Sequence, residues 1–574
     1  MAVFFVLGGK ASAQTPPSSS SLLLRKDDKT LLGLWLMGQS LCDGSESLPI
    51  ITPDDTGWGN FRFQRGVRTW VYGDHGADPE KRKDKDFALV PLTASVNGGL
   101  GEMIANGLAD HLKFALLGFT QEQQRGKRPP HFLVAYAGQG GRTIEELAIA
   151  DISTDPRTPE VKKHGGGYYK TSLDDARRAT ALAKEMRKDF AIVALVWMQG
   201  EGNGGPTGGL MPTRWGTELP RAEAQSWYRD RLIAYRKQWS ADLRAITGQR
   251  DEIPFFTYQT QGTAGPAQLM AADADPHITM VGPHYMVPSA INSRKADGSH
   301  GAAIHLSADG ERWYGEQVAK VMHRVLAKGE DWQPLRPRKA WLDAQRTSLL
   351  IDFTVPRPPL VLDKEFFPQQ YVGIGRGTFS SLGGFQVREA SGVIVPLSAL
   401  EVDSPTRLRI RLAAPLKPGV KIQLSCGEPH AGMIGPISAV RPGTPYGKDV
   451  AVTELVVPGL PGELLKILLA EGAFYVANQQ AGAAYAQVPV REVIAEGTTS
   501  VLRFENRELR DAVPFAVGQT LYAQRPFSYS NLRDSDNEPA IFSFSGSVPG
   551  HRAGQSYPLW NWCVLFGGMA VGEE

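Results

Sequence analysis

Residues 31–40 read LLGLWLMGQS, an apolar run that leads directly into Gly38, Gln39 and Ser40. A short run of this kind, with an aromatic residue inside it and a glycine at its end, is typical of a strand buried on both faces. Such strands occur in parallel sheets that helices cover. The segment therefore predicts a buried strand of an α/β domain, with Ser40 at the carboxyl end of that strand.

Three more runs of the same type follow, at residues 131–137, 191–198 and 253–258. Each is short, rich in branched or aromatic residues and bounded by Gly, Pro or Asp, so each predicts a buried strand. Helical patterns separate them. This alternation predicts a mainly parallel sheet with helices on both faces, a flavodoxin-like three-layer sandwich over residues 30–330. Sheets of this class bind ligands at the carboxyl ends of their strands.

Two helical patterns are distinct enough to be placed along the chain. Residues 172–190 open with a Ser172/Asp175 cap pair and carry one apolar face, formed by Ala176, Ala179, Ala183, Met186 and Phe190. Residues 307–326 form the second pattern, and Gly329 is a suitable residue to end it.

The pattern changes after residue 335 to short alternating strands separated by Pro and Gly. They lie at residues 349–355, 384–387, 407–412 and 421–425. Alternation of this kind predicts an accessory β-sandwich built from residues 335–446 and 523–574. Residues 447–522, with a helical pattern at 464–469 and a strand pattern at 500–504, are predicted to be an insertion or small third domain.

Composition excludes several classes of protein. The 574 residues are 42% hydrophobic and 21% charged, with a formal net charge of +2, so neither nucleic acid nor an acidic membrane surface is indicated as a partner. No apolar stretch is long enough to span a membrane. Residues 1–29 are interpreted as an N-terminal arm or partial signal segment, since residues 2–8 are apolar and Ala11-Ser12-Ala13 resembles a cleavage site, but no positive region precedes them.

Three cysteines, Cys42, Cys426 and Cys563, are too few for a disulfide framework or a zinc knuckle. Cys426 and Cys563 fall in the same predicted β-domain, so one bridge is possible, although two buried thiols are favoured. Cys42 lies two residues from Ser40. No base or cation adjoins it in the sequence, which favours a buried filler over a competing nucleophile.

Four short segments carry residues suited to acyl-transfer chemistry, and three of them directly follow predicted strands. They contain Ser40; the glycine turn Gly140-Gly141; Gln199 and Glu201; and His305. A serine at a strand end can act as a nucleophile, and a histidine before the last helix could take its proton. Consecutive glycines allow backbone N–H groups to approach an anion. Each segment alone also has an ordinary structural explanation, such as a local cap or a tight turn.

Taken together and in this order, the segments resemble the SGNH hydrolases, and within them the branch of sialate O-acetylesterases and related carbohydrate acetylesterases. The matching motifs are Gly38-Gln39-Ser40, Gly140-Gly141-Arg142-Thr143, Trp197-Met198-Gln199-Gly200-Glu201 and His305-Leu306. The resemblance implies Ser40 as nucleophile and His305 as general base. It also implies an oxyanion hole formed by the N–H of Ser40, the N–H of Gly141 or Gly140, and the side chain of Gln199.

The triad acid departs from the family pattern. Three residues before the histidine, where an aspartate is usual, the chain has Ala302. Three alternatives stay open: Asp297 from the preceding loop, Glu201 as a supporting carboxylate, or a Ser–His dyad held by a backbone carbonyl. His300, three residues after Asp297, is a rival base, but Leu306 and Ser307 after His305 fit the family pattern better.

The C-terminal half is similar to an accessory β-domain that follows some bacterial and phage esterases of this class. Trp560 and Trp562 could stack on sugar rings there, although the commoner arrangement places one ring in the core and the other under a loop.

We expect two long loops to border the pocket. They are residues 202–219 and residues 43–85, and the latter contain Trp58, Phe61, Phe63 and Trp70.

The resemblance implies a serine esterase that removes O-acyl groups, with acetyl favoured, from a carbohydrate or polysaccharide. It implies no cofactor and no metal, an acylated carbohydrate as partner, and an extracellular or virion-associated location. The sequence indicates no oligomeric state. The alternative is a non-catalytic glycan-binding or structural module, such as a phage tail protein or adhesin, that keeps the fold.

Overall fold

The structure is a computed structural model, and it describes a large part of the chain. The described residues are 22–23, 29–69, 82, 84–97, 99–119, 129–148, 167–205, 209–212, 217–290, 301, 304–364, 366, 382–427, 430–445, 450–458, 475–478, 487–496, 499–506, 515–525, 529–548 and 551–573.

A seven-stranded sheet organises the N-terminal half, in the order β3-β2-β4-β1-β5-β6-β7. All neighbouring strands in it run parallel except the β2–β3 pair. The strands are Thr30–Gly38, Phe61–Phe63, Leu89–Pro91, Phe132–Gly138, Asp189–Met198, Phe255–Gln259 and Ile278–Pro283. The four predicted strands and the mainly parallel sheet are therefore confirmed.

Helices cover both faces of this sheet, as alternate side chains of β1 show. Leu32, Leu34 and Leu36 are buried on one face together with α2 and α7, and Leu31, Trp35 and Met37 on the other together with α4, α5 and α6. The helices α1 to α7 are Ser40–Asp43, Ile104–Leu117, Ile144–Leu147, Gly167–Glu185, Arg221–Thr247, Ala264–Ala274 and Ala308–Met322. Short 3-10 turns occupy Asp84–Phe87 and Glu201–Asn203, and a π turn extends α7 over His323–Ala327.

The predicted start of the helix at Ser172 is wrong. Helix α4 begins five residues earlier and ends at Glu185, so Phe190 belongs to β5. Tertiary contacts explain the error. The Ser172 hydroxyl accepts from Trp239 Nε1 at 3.0 Å, and the Asp175 carboxylate binds Thr69 and Arg82, so neither side chain caps a helix.

The last helix of the α/β region follows its prediction more closely. Ser307 caps α7 by accepting the N–H of Gly310 at 3.1 Å, and Gly329 adopts a left-handed conformation with φ of 65°. Because Ser307 follows His305 by two residues, this cap also fixes where His305 lies relative to the helix.

The C-terminal half forms antiparallel sheets, as the alternating pattern predicts. A five-stranded sheet has the order β13-β14-β9-β8-β26, and a four-stranded sheet β12-β11-β15-β25 shares its apolar core. Only the β8–β26 pair among their described pairs is parallel. Strands β8 to β15 are Arg336–Leu342, Ser348–Thr354, Val361–Leu362, Phe385–Glu389, Ile394–Val395, Leu397–Ser404, Arg407–Leu412 and Ile422–Cys426, and the last strands, β25 and β26, are Phe566–Ala570 and Gly572–Glu573.

The predicted insertion contains strands of two further four-stranded sheets, β16-β23-β19-β20 and β17-β18-β22-β21. Strands β16 to β24 are His430–Pro436, Ala439–Gly443, Val452–Pro458, Tyr475–Asn478, Gln487–Pro489, Glu492–Glu496, Thr499–Glu505, Thr520–Arg525 and Leu532–Arg533. The predicted helical pattern at 464–469 lies outside the described residues, and the domain boundaries stay a prediction.

The two halves share buried surface. Tyr557, Leu559 and Trp562 of the C-terminal half belong to the same apolar cluster as the face of β1 that α2 and α7 cover.

All three cysteines are buried free thiols. None of the described helices is both long and apolar enough to cross a membrane.

Candidate active site

The carboxyl ends of three strands bring the candidate segments to one edge of the sheet. Gly38 pairs with both Gly138 and Met198, so β1, β4 and β5 end level with one another. A Cβ at Gly38 would overlap the carbonyl oxygen of Met198, which is why only glycine fits here. The segments that follow these strands therefore leave the sheet side by side.

Ser40 opens helix α1 directly after β1 and is 7% exposed. The Ser40 carbonyl accepts the N–H of Ser45 at 3.2 Å, which closes the segment into a tight turn. Neither the Ser40 hydroxyl nor its backbone N–H has a hydrogen-bond partner among the described residues. Both groups remain available to a bound molecule at the sheet edge.

His305 is held by backbone contacts to the segment after β7. The His305 carbonyl accepts the N–H of Ala290 at 2.7 Å, and the N–H of Ser307 donates to Pro288 at 2.9 Å. The hydroxyl of Ser47 donates to the Leu306 carbonyl at 2.7 Å. This last contact joins the segment that carries Ser40 to the segment that carries His305.

Glu46 is the carboxylate that faces His305, a residue that sequence reasoning missed. Glu46 Oε2 lies 2.8 Å from His305 Nδ1, and the two side chains are 18% and 20% exposed. His305 Nε2 has no hydrogen-bond partner among the described residues. The family pattern places the acid before the histidine, whereas the structure supplies one six residues after Ser40.

Asp297 and His300 lie outside the described residues, as does Ala302. Asp297 as triad acid and His300 as rival base therefore stay predictions. Within the described part of the chain, the carboxylate that contacts the His305 ring is that of Glu46.

The glycine turn places one N–H against a carboxylate and leaves another without a partner. Gly140 N–H donates to Asp43 Oδ2 at 2.9 Å, so Gly140 does not offer the free donor considered for it. Gly141 has φ of 71°, a left-handed conformation that favours glycine. Among the described residues its N–H has no partner.

Gln199 is not placed as a free side-chain donor. Its amide nitrogen donates to Arg142 O at 2.9 Å and to Asn203 Oδ1 at 2.7 Å, and its Oε1 accepts from Tyr228 at 2.7 Å. The side chain is fully buried. Buried partners therefore already accept both amide hydrogens of Gln199, and its oxyanion role stays a prediction.

Glu201 makes its described hydrogen bonds to residues at the end of β6 and not to His305. Its carboxylate accepts hydrogen bonds from the hydroxyls of Tyr258 and Thr260 at the end of β6. Burial, and then the Glu201 charge, raise the pKa of Tyr258 well above its ordinary value, so this tyrosine stays a donor. The structure thus places Glu201 as a brace for the turn after β5, not as the acid of a triad.

The aromatic residues of the long loop after α1 do not line the site. Phe63 is buried, Phe61 contacts His131 at the start of β4, and Trp58 packs on Phe114 near the end of α2. Phe61 and Trp58 therefore lie toward the amino ends of the parallel strands, away from Ser40. The expectation that they border the pocket is wrong for these three, and Trp70 lies outside the described residues.

Three other residues are explained by packing. Burial raises the pKa of the Cys42 thiol well above its ordinary value, in agreement with a buried filler. Trp562 is buried, and the guanidinium of Arg533 lies 3.6 Å from the centre of the Trp560 ring, so a face of that ring is covered. In the described part of the chain, no group of three His, Cys, Asp or Glu side chains is arranged to hold a metal ion.

Comparison with known proteins gives distant likenesses. No model of a protein family matches the chain, and no characterised protein sequence matches it. Among solved structures, it is similar to a carbohydrate acetylesterase from Xanthomonas citri, with a TM-score of 0.40, 15% identity, and coverage of 69% of this chain and 74% of that one. It is also similar to the Group B Streptococcus pullulanase SAP, with a TM-score of 0.11, 10% identity, and coverage of 33% and 22%.

Proposed function

We propose that this chain is a serine esterase that removes acyl groups, acetyl first among them, from carbohydrate. Ser40 is the nucleophile, His305 the general base, and Glu46 the carboxylate that orients the His305 ring. One observation carries the proposal: Glu46 lies 2.8 Å from His305 Nδ1, and Nε2 of the same ring has no hydrogen-bond partner among the described residues. A histidine oriented by a carboxylate in this way is suited to remove a serine proton.

The reaction proceeds in two halves. Ser40 Oγ attacks the ester carbonyl carbon while its proton passes to His305 Nε2, and the tetrahedral intermediate collapses when that proton moves to the departing alcohol oxygen. Water then attacks the acyl-enzyme, gives its proton to the same nitrogen, and the acid leaves as Ser40 regains its proton. The charge of Glu46 stabilises the imidazolium that forms in each half.

The backbone N–H groups of Ser40 and Gly141 are the donors we assign to the developing oxyanion. Both lack a partner among the described residues, whereas the donors of Gly140 and Gln199 are occupied. A donor aimed at an oxyanion typically contributes about 2.7–4 kcal/mol to the transition state.

The carbohydrate part of the proposal rests on the four sequence segments that resemble carbohydrate acetylesterases. The alternative function is a glycan-binding module without activity. Such a module does not require a carboxylate beside the His305 ring. The Glu46–His305 contact therefore favours the enzyme, because maintaining that pair at a partly exposed position has a direct use in catalysis.

Hydrolysis of p-nitrophenyl acetate and release of acetate from an acetylated polysaccharide test the proposal. The wild type, Ser40→Ala and His305→Ala are compared, with folding checked by circular dichroism. We expect each variant to lose roughly 10³-fold or more of kcat, because the nucleophile and its base act as a unit.

His131→Ala is the matched control, because this histidine contacts Gly59 and Phe61 at the opposite edge of the sheet. Its kcat should stay close to that of the wild type. A wild type that releases no acetate from several acetylated glycans would contradict the esterase, and glycan binding would then be measured.

A further inference from the structure

Asp43 connects the nucleophile segment to the glycine turn. Its Oδ2 accepts the N–H of Gly140 at 2.9 Å, and its Oδ1 accepts the N–H and hydroxyl of Ser45 at 3.0 and 2.6 Å. The side chain is fully buried. An ionised carboxylate suits this position, since each of these contacts presents a hydrogen to it.

The turn that Asp43 holds lies directly against Ser40. A Cβ built on Gly140 would be 3.3 Å from Ser40 Cβ. Gly141, the next residue, carries the N–H that we assign to the oxyanion. The position of this donor relative to Ser40 therefore depends on the Asp43–Gly140 hydrogen bond, which spans the two segments.

The backbone of Asp43 is fixed as well as its side chain. The buried guanidinium of Arg68 donates to the Asp43 carbonyl, and through its other nitrogen to the Ser95 carbonyl at 3.0 Å. The Asp43 N–H donates to Gln39 at 3.1 Å. With its backbone anchored at two points, Asp43 has little freedom to follow the turn if the hydrogen bond to Gly140 weakens.

We propose that Asp43 is a positioning residue that holds the Gly140–Gly141 turn in place for oxyanion binding, and that protonation of its carboxylate lowers hydrolysis at mildly acid pH. The inference rests on the proposed function and adds a regulation of the same site. Protonation removes the charge from the acceptor, and hydrogen bonds to a charged acceptor are about twice as strong as neutral ones.

The surroundings of Asp43 place this change in an accessible pH range. Burial raises the pKa of Asp43 to about 6, although its hydrogen bonds and the charges of Arg68 and His305 act in the opposite direction. Burial also raises the pKa values of three other titratable groups near it well above their ordinary values: Cys42, Tyr136 and Glu311. The active carboxylate is therefore present above about pH 6 and lost below it.

The dependence of kcat/KM on pH tests the inference, with p-nitrophenyl acetate as substrate over about pH 5 to 8. A single protonation that removes activity gives an acid limb with a slope of about one, whereas two such protonations give a slope of about two. We expect a slope near two for the wild type and near one for Asp43→Asn. At about pH 8, Asp43→Asn should have a roughly 10- to 100-fold lower kcat with KM within about twofold.

Asp110→Asn is the matched control. Asp110 is a buried carboxylate on α2 that accepts from Thr56 and Asn60, and burial raises its pKa to about 6 as well, but its described hydrogen bonds do not involve Ser40, the glycine turn or His305. This variant should keep the wild-type slope and kcat. Tryptophan fluorescence at each pH separates loss of activity from acid unfolding.

An Asp43→Asn variant with the wild-type slope, or with kcat within about twofold of the wild type at about pH 8, would overturn the inference. If Asp43→Asn does not fold, the slope of the acid limb of the wild-type kcat/KM profile is the test. A slope of about one overturns the inference. A slope near two in both the wild type and Asp110→Asn supports it. A wild type without hydrolysis would instead remove the proposed function itself.

Discussion

Glu46 supports His305 from a backbone conformation that non-glycine residues rarely adopt. Its φ is 62°, and its N–H donates to the Gly99 carbonyl at 3.0 Å. A residue of this type in the left-handed region costs of order 1–3 kcal/mol, and such costs are found mainly at functional sites. This conformation places the Glu46 carboxylate beside the His305 ring, where it can orient the imidazole.

Replacing Glu46 by Gln tests this role at the scale of one residue. The amide can still accept the Nδ1 proton but carries no charge, so the imidazolium formed during catalysis loses its stabilisation. We expect kcat to fall by roughly 10²- to 10⁴-fold while KM changes little. Steady-state hydrolysis of p-nitrophenyl acetate measures both constants.

The matched comparison for Glu46→Gln is made with the other two candidate acids. Glu201→Gln should lose less than about tenfold in kcat, because Glu201 binds Tyr258 and Thr260 instead of His305. Asp297→Asn is expected to behave in the same way. If either variant loses as much kcat as Glu46→Gln, the assignment of Glu46 is wrong.

At the scale of elements, the turn after β5 is held by a side chain of the turn after β1. Gln39 Oε1 accepts the N–H of Gly202 at 2.7 Å, and the buried Gln199 and Asn203 side chains bond to each other at 2.7 Å. Asn203 also accepts the N–H of Ile144 at 3.0 Å. Through these bonds, three neighbouring strand ends form one connected unit around Ser40.

Gln39→Ala should therefore affect both stability and catalysis. The Gly202 N–H loses its acceptor, which lowers the free energy of unfolding by about 1–3 kcal/mol. The turn beside Ser40 also loses its anchor, so we expect kcat to fall by about tenfold or more. Urea denaturation and ester hydrolysis measure the two effects separately.

Gln249→Ala provides the control for Gln39→Ala. Gln249 bonds to both backbone groups of Ile192 at 2.7 and 2.9 Å, which is a similar contact near the other end of β5. It should lower the free energy of unfolding without changing kcat. Equal changes of kcat in the two variants would contradict a local role for Gln39.

At the scale of the whole molecule, helix α7 lies between the sheet and the C-terminal half. Glu316 accepts the N–H groups of Ile541 and Phe542 at 2.8 and 3.0 Å, and Lys320 donates to Asn561 at 2.8 Å. Because α7 begins three residues after His305, the C-terminal half contributes to the support of the candidate base.

Lys320→Met tests this connection. Lys320 is fully buried and also lies 3.1 Å from Asp536, so its loss leaves buried groups of the C-terminal half without a partner. We expect the free energy of unfolding to fall by roughly 3–5 kcal/mol. The α/β and β regions should still unfold in one transition, followed by near-UV and far-UV circular dichroism.

Arg411→Met is the control for Lys320→Met, since the Arg411–Glu401 pair between β14 and β13 is exposed and should not affect unfolding measurably. Two separate transitions, with only one of them shifted by Lys320→Met, would show that the halves are not coupled through α7.

The sequence by itself determined four of the seven strands of the sheet, β1, β4, β5 and β6, and the edge at which the candidate residues gather. The apolar runs that end at Gly38, Gly138 and Met198 place Ser40 and the glycine turn together, because parallel strands in register end at the same edge. The cap at Ser307 likewise located the start of α7 and hence His305. These features follow from local patterns of burial and capping, which a single segment contains.

Only the tertiary structure decided which polar groups meet. Glu46 and His305 are 259 positions apart, and Asp43 and Gly140 are 97 apart. Other contacts between distant segments take up the amide hydrogens of Gln199. Such contacts also bind the side chains of Ser172 and Asp175, which therefore do not cap a helix. A side chain's partner depends on how loops approach one another and on backbone conformations such as that of Glu46, and no local pattern of residues encodes either.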